Sequence, residues 1–324
     1  MTATDQLLTV EELEIKFGST SIVDRISFSV GKGEAIGVVG ESGSGKSMTA
    51  LGLLGLVPPP GRLSDGRIEF QGRDLRQLGD AGLRDVRRTE IGMIFQDASS
   101  YLNPIMTVGD QIAEAIGKRK SKDPAVRQRV IDVLRAVRIA DPERIARSYP
   151  YELSGGMQQR AMIASVLIRQ PRLIIADEPT TALDATVQHQ ILKFLAEMRH
   201  EFDVALILIS HDLAVISQVC DRVYIMYGGQ LVEQGDTASI FVDPKHPYTV
   251  ALIGSILDPF DPKTEIVALE GSPPDMRSPP SGCRFHPRCP HAFDLCRQEE
   301  PPEFAFASGQ SAKCWLHKEG ASAR

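Results

Sequence analysis

The sequence predicts an α/β fold. A mostly parallel sheet is covered by helices and joined by antiparallel strands, an inserted helical subdomain and an irregular Cys/Pro-rich C-terminal extension. Three observations carry this reading. Short apolar runs at Glu34–Gly40, Leu173–Ala176 and Val204–Ile209 alternate with helical stretches, and β, α, β alternation implies parallel strands with helices across their faces. From about residue 97 to 165 the pattern turns to helical periodicity with many charges. From about residue 258 it shifts again: ten prolines fall between Pro259 and Pro302, and four of the five cysteines lie beyond position 282. The expected division is therefore a domain over 1–257 and an extension over 258–324.

Taken in order, Leu7–Phe17 and Ile22–Val30 alternate as strands do, and Gly31-Lys32-Gly33 supplies a turn after them. Glu34–Gly40 is a short apolar strand. From Ser47 the pattern is helical until Pro58-Pro59-Pro60 stops it. Ile68–Phe70 and Ile91–Phe95 are further strands. Within the helical insert, Lys118-Arg119-Lys120-Ser121-Lys122 is read as a solvated loop. Asp184–Phe202 is a helix, and Val223–Met226 and Gln230–Glu233 form a hairpin around Gly228-Gly229. Composition alone does not hold the extension, which has too few apolar residues to bury much surface.

Composition excludes some classes. The 324 residues suffice for one large domain with a core, and 42% apolar with 24% charged residues is ordinary for a globular protein. A formal charge of -6 argues against nucleic acid as a partner. No segment approaches the ~20 apolar residues of a membrane helix. Met1–Gln6 lacks the basic and apolar regions of a signal peptide, so a cytosolic location is expected.

Chemistry concentrates in three stretches. Gly40-Glu41-Ser42-Gly43-Ser44-Gly45-Lys46-Ser47 fits G-x-x-x-x-G-K-[ST], preceded by a strand and followed by a helix. Gly40, Gly43 and Gly45 let the backbone curl so that N–H groups, those of Ser42 and Ser44 among them, face phosphate oxygens. Lys46 suits the β- and γ-phosphates, and the Ser47 hydroxyl suits Mg²⁺. Leu173–Ala176 ends in Asp177, a carboxylate for the same hard cation, and Glu178, placed to act as general base on a water. Leu153–Arg160 opens a helix at Ser154, Gly155 and Gly156, a second anion site of exposed N–H groups and a hydroxyl.

These three motifs in this order closely resemble the ATP-binding cassette (ABC) P-loop NTPases, over about residues 7 to 250. The resemblance implies ATP and Mg²⁺ as cofactors and further roles. Gln96 contacts metal or water and senses a membrane partner, and His211 is the switch histidine at the γ-phosphate. Phe17 stacks on adenine. Ser154, Gly155 and Gly156 face the ATP of an opposite subunit, with Asp184 of Ala182-Leu183-Asp184 crossing the same interface. A second ABC subunit, expected to be a paralogue, is thus required.

His246-Pro247-Tyr248 and Gly282-Cys283-Arg284-Phe285-His286-Pro287-Arg288-Cys289-Pro290 are similar to the extension of oligopeptide/dipeptide importer ATPases. That branch implies an ATPase at the cytoplasmic face of the membrane, two permease subunits and an extracytoplasmic peptide-binding protein. Nickel, glutathione or another small solute is the alternative cargo, and a soluble ABC ATPase without membrane partner is the second class of function. Cys283, Cys289, Cys296 and Cys314 are spaced C-x5-C-x6-C-x17-C, without the close pairs of common zinc sites. An iron–sulfur cluster, zinc (with His286, His291 or His317 as substitutes) and free thiols all fit the spacing; the resemblance implies a [4Fe–4S] centre. Cys220 is expected to be core packing.

Overall fold

The computed structural model describes residues 6–117, 123–181, 183–255 and 269–318. They fall into two compact units: one of Met1–Val30, Ala35–Arg76 and Ser210–Arg324, the other of Gly31–Glu34 and Gln77–Ile209. The Lys118–Lys122 run lies outside the described residues. Among those described, no helix is long and apolar enough to cross a membrane.

In the first unit, an antiparallel sheet runs in the order Thr20–Gly31, Gln6–Phe17, Gly61–Phe70, Arg73–Asp74. Leu8 and Val10, then Leu13 and Ile15, are buried two residues apart, the phase being reset by a register irregularity after Glu11. Gly61–Phe70 begins seven residues before the expected Ile68, because its polar first half pairs along Gln6–Phe17 (Phe17 opposite Gly61) without an apolar run to mark it. A second set of strands contains Ala35–Val39, buried at all five positions, parallel to Arg222–Tyr227. Arg222–Tyr227 forms the expected hairpin with Gln230–Asp236. Gly228 and Gly229 both have positive φ, as a tight turn between twisted strands demands.

The second unit holds three parallel strands, Ile91–Ile94, Leu173–Asp177 and Ala205–Ser210, with Met93 opposite Ile175 and Ile175 opposite Ile207. All are buried on both faces, which explains why each reads as a continuous apolar run. Helices Ala98–Tyr101, Val108–Glu114, Pro124–Ala136, Pro142–Ile145 and Gly155–Leu167 make up the expected insert. Each begins on a side chain that accepts a first-turn N–H: Asp97, Thr107, Asp123, Asp141 and Ser154. Caps of this kind stabilise a helix by about 1 kcal/mol each. Asp184 does the same for Ala185–Glu201. The helix Gly79–Thr89 was not expected; its buried face is a single residue, Val86.

The extension corrects the expectation that it buries little. It adds the two-residue strands Ser311–Ala312 and Phe304–Ala305 to the edge of Gln230–Asp236, Glu233 pairing Ala312. Phe285 is fully buried, its ring 5.2 Å from Tyr227 and 5.4 Å from Tyr248. Trp315 is buried and donates Nε1–H to the Glu299 carbonyl at 2.9 Å. The extension does not build a core of its own; it completes one whose other wall comes from Tyr227 and Tyr248 of the same unit. His246 marks the start of this packing. It is fully buried, and its Nδ1 accepts the Tyr248 N–H at 3.0 Å to cap Pro247–Gly254. Burial first, then the neighbouring His317, drive its pKa down to about 3, which keeps the ring neutral and able to accept. The buried Glu233 carboxylate accepts the N–H groups of Lys245 and His246. Cys220 is buried, as expected.

Candidate nucleotide site

In the first unit the phosphate loop follows the buried Ala35–Val39 strand. A Cβ on Gly40 would lie 2.0 Å from the Met226 carbonyl oxygen, so only glycine fits. Gly45 is left-handed (φ 104) and a Cβ there would lie 2.9 Å from the Ile22 carbonyl oxygen. Gly43 has φ 80 with open space around it. The helix Lys46–Leu53 starts at Gly45 with no side-chain cap, and a helix N-terminus of this kind suits an anion. Lys46 is buried, its Nζ donating to the carbonyls of Gly40 at 2.7 Å and Glu41 at 3.0 Å. Ser42 and Ser47 are exposed; Ser44 is buried.

His211 is exposed immediately after Ala205–Ser210. The turn is set by Ser210 Oγ, which accepts the Asp212 N–H at 2.9 Å, and by Asp212, which caps Leu213–Ser217. Phe17 is half-buried at the end of its strand, where a Cβ on Gly61 would touch its ring at 2.5 Å.

In the second unit Asp177 is the buried last residue of Leu173–Asp177. Glu178 has φ 45, an uncommon backbone for a non-glycine residue, which turns its side chain away from the strand's alternation. Its N–H donates to the Ile209 carbonyl at 3.0 Å. Its carboxylate accepts from Thr181 Oγ1 at 2.9 Å and from Gln96 Nε2 at 3.3 Å. The structure thus brings two expected residues, Gln96 and Glu178, together, and adds Thr181, which no motif marks. Phe95, just before Gln96, stacks on Tyr101 at 3.9 Å.

Ser154 and Gly155 are exposed at the start of Gly155–Leu167, and Ser154 Oγ accepts the Met157 N–H. Gly156 has a packing reason as well: a Cβ would stand 2.7 Å from Val187 Cγ1. Of the Ala182-Leu183-Asp184 motif, Ala182 lies outside the described residues.

A family profile described as "ABC transporter" matches residues 23–181, and one described as "Oligopeptide/dipeptide transporter, C-terminal region" matches residues 232–296. The Escherichia coli (strain K12) dipeptide transport ATP-binding protein DppD is 45% identical over 313 residues, 95% of this chain and 96% of that one. The chain belongs to the ABC transporter ATPases. The Bacillus subtilis (strain 168) oligopeptide transport ATP-binding protein OppD is 43% identical over 318 residues, 96% of this chain and 89% of that one. Among solved structures, cbiO1 from Clostridium perfringens, part of the ABC transporter complex cbiONQ, aligns with TM-score 0.66 and 29% identity over 74% of this chain and 92% of that one. The ATP-binding cassette MJ0796, in a dimer bound to ADP and Pi, aligns with TM-score 0.61 and 25% identity over 71% of this chain and 98% of that one. The ABC ATPase therefore binds ATP with Mg²⁺ and hydrolyses it in step with transport.

The four extension cysteines of this ABC ATPase are electrostatic neighbours. Burial pushes the Cys314 thiol up to about 12, with Cys283, Cys289 and Cys296 adding to the shift. Burial likewise pushes Cys283 up to about 11, with Cys296 and Cys289 adding. Among the described residues, no group of three or more His, Cys, Asp or Glu is disposed to share one metal ion. Two of the histidines weighed as zinc ligands have other partners, His286 Nδ1 the Cys283 carbonyl at 3.0 Å and His317 Nε2 the Lys245 carbonyl at 2.8 Å.

Proposed function

We propose that this chain is the ATP-hydrolysing subunit of an importer for dipeptides or oligopeptides. It works at the cytoplasmic face of the membrane beside a second, paralogous ATPase subunit, two permeases and an extracytoplasmic peptide-binding protein. The observation that carries this is one chain holding both the phosphate loop and the oligopeptide/dipeptide-type C-terminal region, along nearly the full length of relatives named for peptide transport. Lys46 and the loop amides hold the phosphates, while Ser47, Asp177 and Gln96 serve Mg²⁺. Glu178 draws a proton from the attacking water, and His211 steadies that water. Phe17 stacks on adenine. Ser154, Gly155 and Gly156 complete the partner's site. Support for Glu178 as base is its hydrogen bonding to Gln96 and Thr181, which aims the carboxylate.

The test is reconstitution with the permeases in lipid. ATP hydrolysis should rise several-fold when peptide-loaded binding protein is added. Stimulation by nickel or glutathione instead would reassign the cargo. Failure to co-purify with any membrane subunit would point to the soluble class.

We also propose that Cys283, Cys289, Cys296 and Cys314 hold a [4Fe–4S] cluster. Supporting it are four cysteines in one short proline-rich extension, none of them in a disulfide, the all-thiolate ligand set such clusters use. Zinc held by the same thiolates, with Zn–S bonds of about 2.3 Å, is the alternative. Once bound, the cluster would supply iron–thiolate bonds that staple the extension. Protein purified without oxygen should contain iron and acid-labile sulfide, both lost in Cys283→Ser or Cys314→Ser. Zinc, or no metal, would overturn the assignment.

A further inference from the structure

We propose that the segment between Cys283 and Cys289 clamps the phosphate loop, with Arg288 as a positioning residue that sets the affinity for ATP by holding and neutralising Glu41. This rests on the assignment of Gly40–Ser47 as the phosphate loop.

Glu41 is the second residue of that loop and carries a charge of the same sign as the polyphosphate. The Arg288 guanidinium meets its carboxylate as a fork, Nη1 to Oε2 at 2.7 Å and Nη2 to Oε1 at 3.0 Å. The arginine side chain is only 6% exposed and the glutamate 24%. Its remaining contacts are directional as well. Nη1 reaches the Tyr227 hydroxyl at 3.3 Å, Nε the Glu270 carbonyl at 2.8 Å and Nη2 the Leu269 carbonyl at 3.3 Å, while the guanidinium sits over the Tyr227 ring. A buried, bidentate pair of this kind fixes geometry as well as charge. The Tyr248 hydroxyl accepts the Glu41 N–H at 2.9 Å, so Glu41 is also held at its backbone, by a residue whose ring packs on Phe285 of the extension.

A second grip reaches the other side of the loop. Arg284 donates to the Gly228 carbonyl and pairs with Asp24, and the next residue, Gly229, donates its N–H to the Ser44 carbonyl at 3.0 Å. Both arginines and the buried Phe285 lie within the five residues between Cys283 and Cys289. Without Arg288, the Glu41 side chain would lose its anchor and its countercharge in a loop whose ligand is an anion.

The test is Mg-ATP binding and steady-state ATPase kinetics on the full chain. Arg288→Gln should raise Kd and KM for ATP about tenfold or more, with kcat changed less than about threefold, since removing one partner strands a partly buried charge. Arg288→Lys, which keeps the charge and loses the fork, should fall between. The Arg288→Gln/Glu41→Gln pair should return Kd to within about threefold of the parent, because no charge is left stranded. Glu41→Gln alone, which keeps an acceptor for Arg288, should bind ATP at least as tightly as the parent; it needs no variant at Arg288 to fold. Parental affinity in Arg288→Gln, no recovery in the double variant, or weaker binding in Glu41→Gln would each overturn the proposal. A parent chain that binds no Mg-ATP would instead fail the loop assignment.

Discussion

Replacing Glu178 by glutamine should leave ATP binding at its parental level and slow hydrolysis by a factor of about 10² to 10⁴, the usual contribution of a positioned general base. The amide is nearly isosteric and can still accept from Thr181 Oγ1, now 2.9 Å from the carboxylate, and from Gln96. What it loses is basicity. Single-turnover hydrolysis and equilibrium binding of Mg-ATP separate the two properties, and size measurement in ATP should show the variant accumulating as a closed pair. Hydrolysis at the parental rate would remove Glu178 from the role of base.

Gly40→Ala should abolish ATP binding and cost about 1–3 kcal/mol or more of stability. The added carbon would sit 2.0 Å from the Met226 carbonyl oxygen and 2.8 Å from Ser44 Oγ. The first is backbone of a central strand and cannot swing aside. Relief must come from moving the loop away from the strand, which takes its N–H groups out of register with the phosphates. Gly43→Ala is the contrast: its φ of 80 brings strain, but nothing stands within 4 Å. It should cost about 1–2 kcal/mol, the penalty of one left-handed non-glycine residue, and keep measurable binding. Thermal melting with ATP titration on both variants checks this. Equal behaviour of the two would refute the steric account.

Much of this was legible in the sequence for identifiable reasons. The parallel strands are buried on both faces, so Ala35–Val39, Leu173–Asp177 and Ala205–Ser210 announce themselves as unbroken apolar runs. The Gly228-Gly229 hairpin and the Asp and Ser caps are local chemistry, and local chemistry survives without neighbours. The phosphate loop is local too. The extension escaped because its stability is not local. Phe285 buries against Tyr227 and Tyr248, and Arg288 pairs with a residue 247 positions away. A lone phenylalanine and a lone arginine in a proline-rich stretch carry no periodicity. Thr181 was missed likewise, because nothing in a threonine two positions after a proline predicts a hydrogen bond to Glu178.

The two-residue strands Ser311–Ala312 and Phe304–Ala305 have a colloidal consequence. Gln230–Asp236 is seven residues long, and without a neighbour beyond it would present a row of unpaired N–H and C=O groups able to recruit strands from other molecules. The extension covers part of that row and ends the sheet in a strand of only two residues, too short to template further growth. The C-terminal segment is in this respect a guard against self-association, and a chain shortened before residue 304 would carry an open, adhesive edge even if its nucleotide chemistry survived.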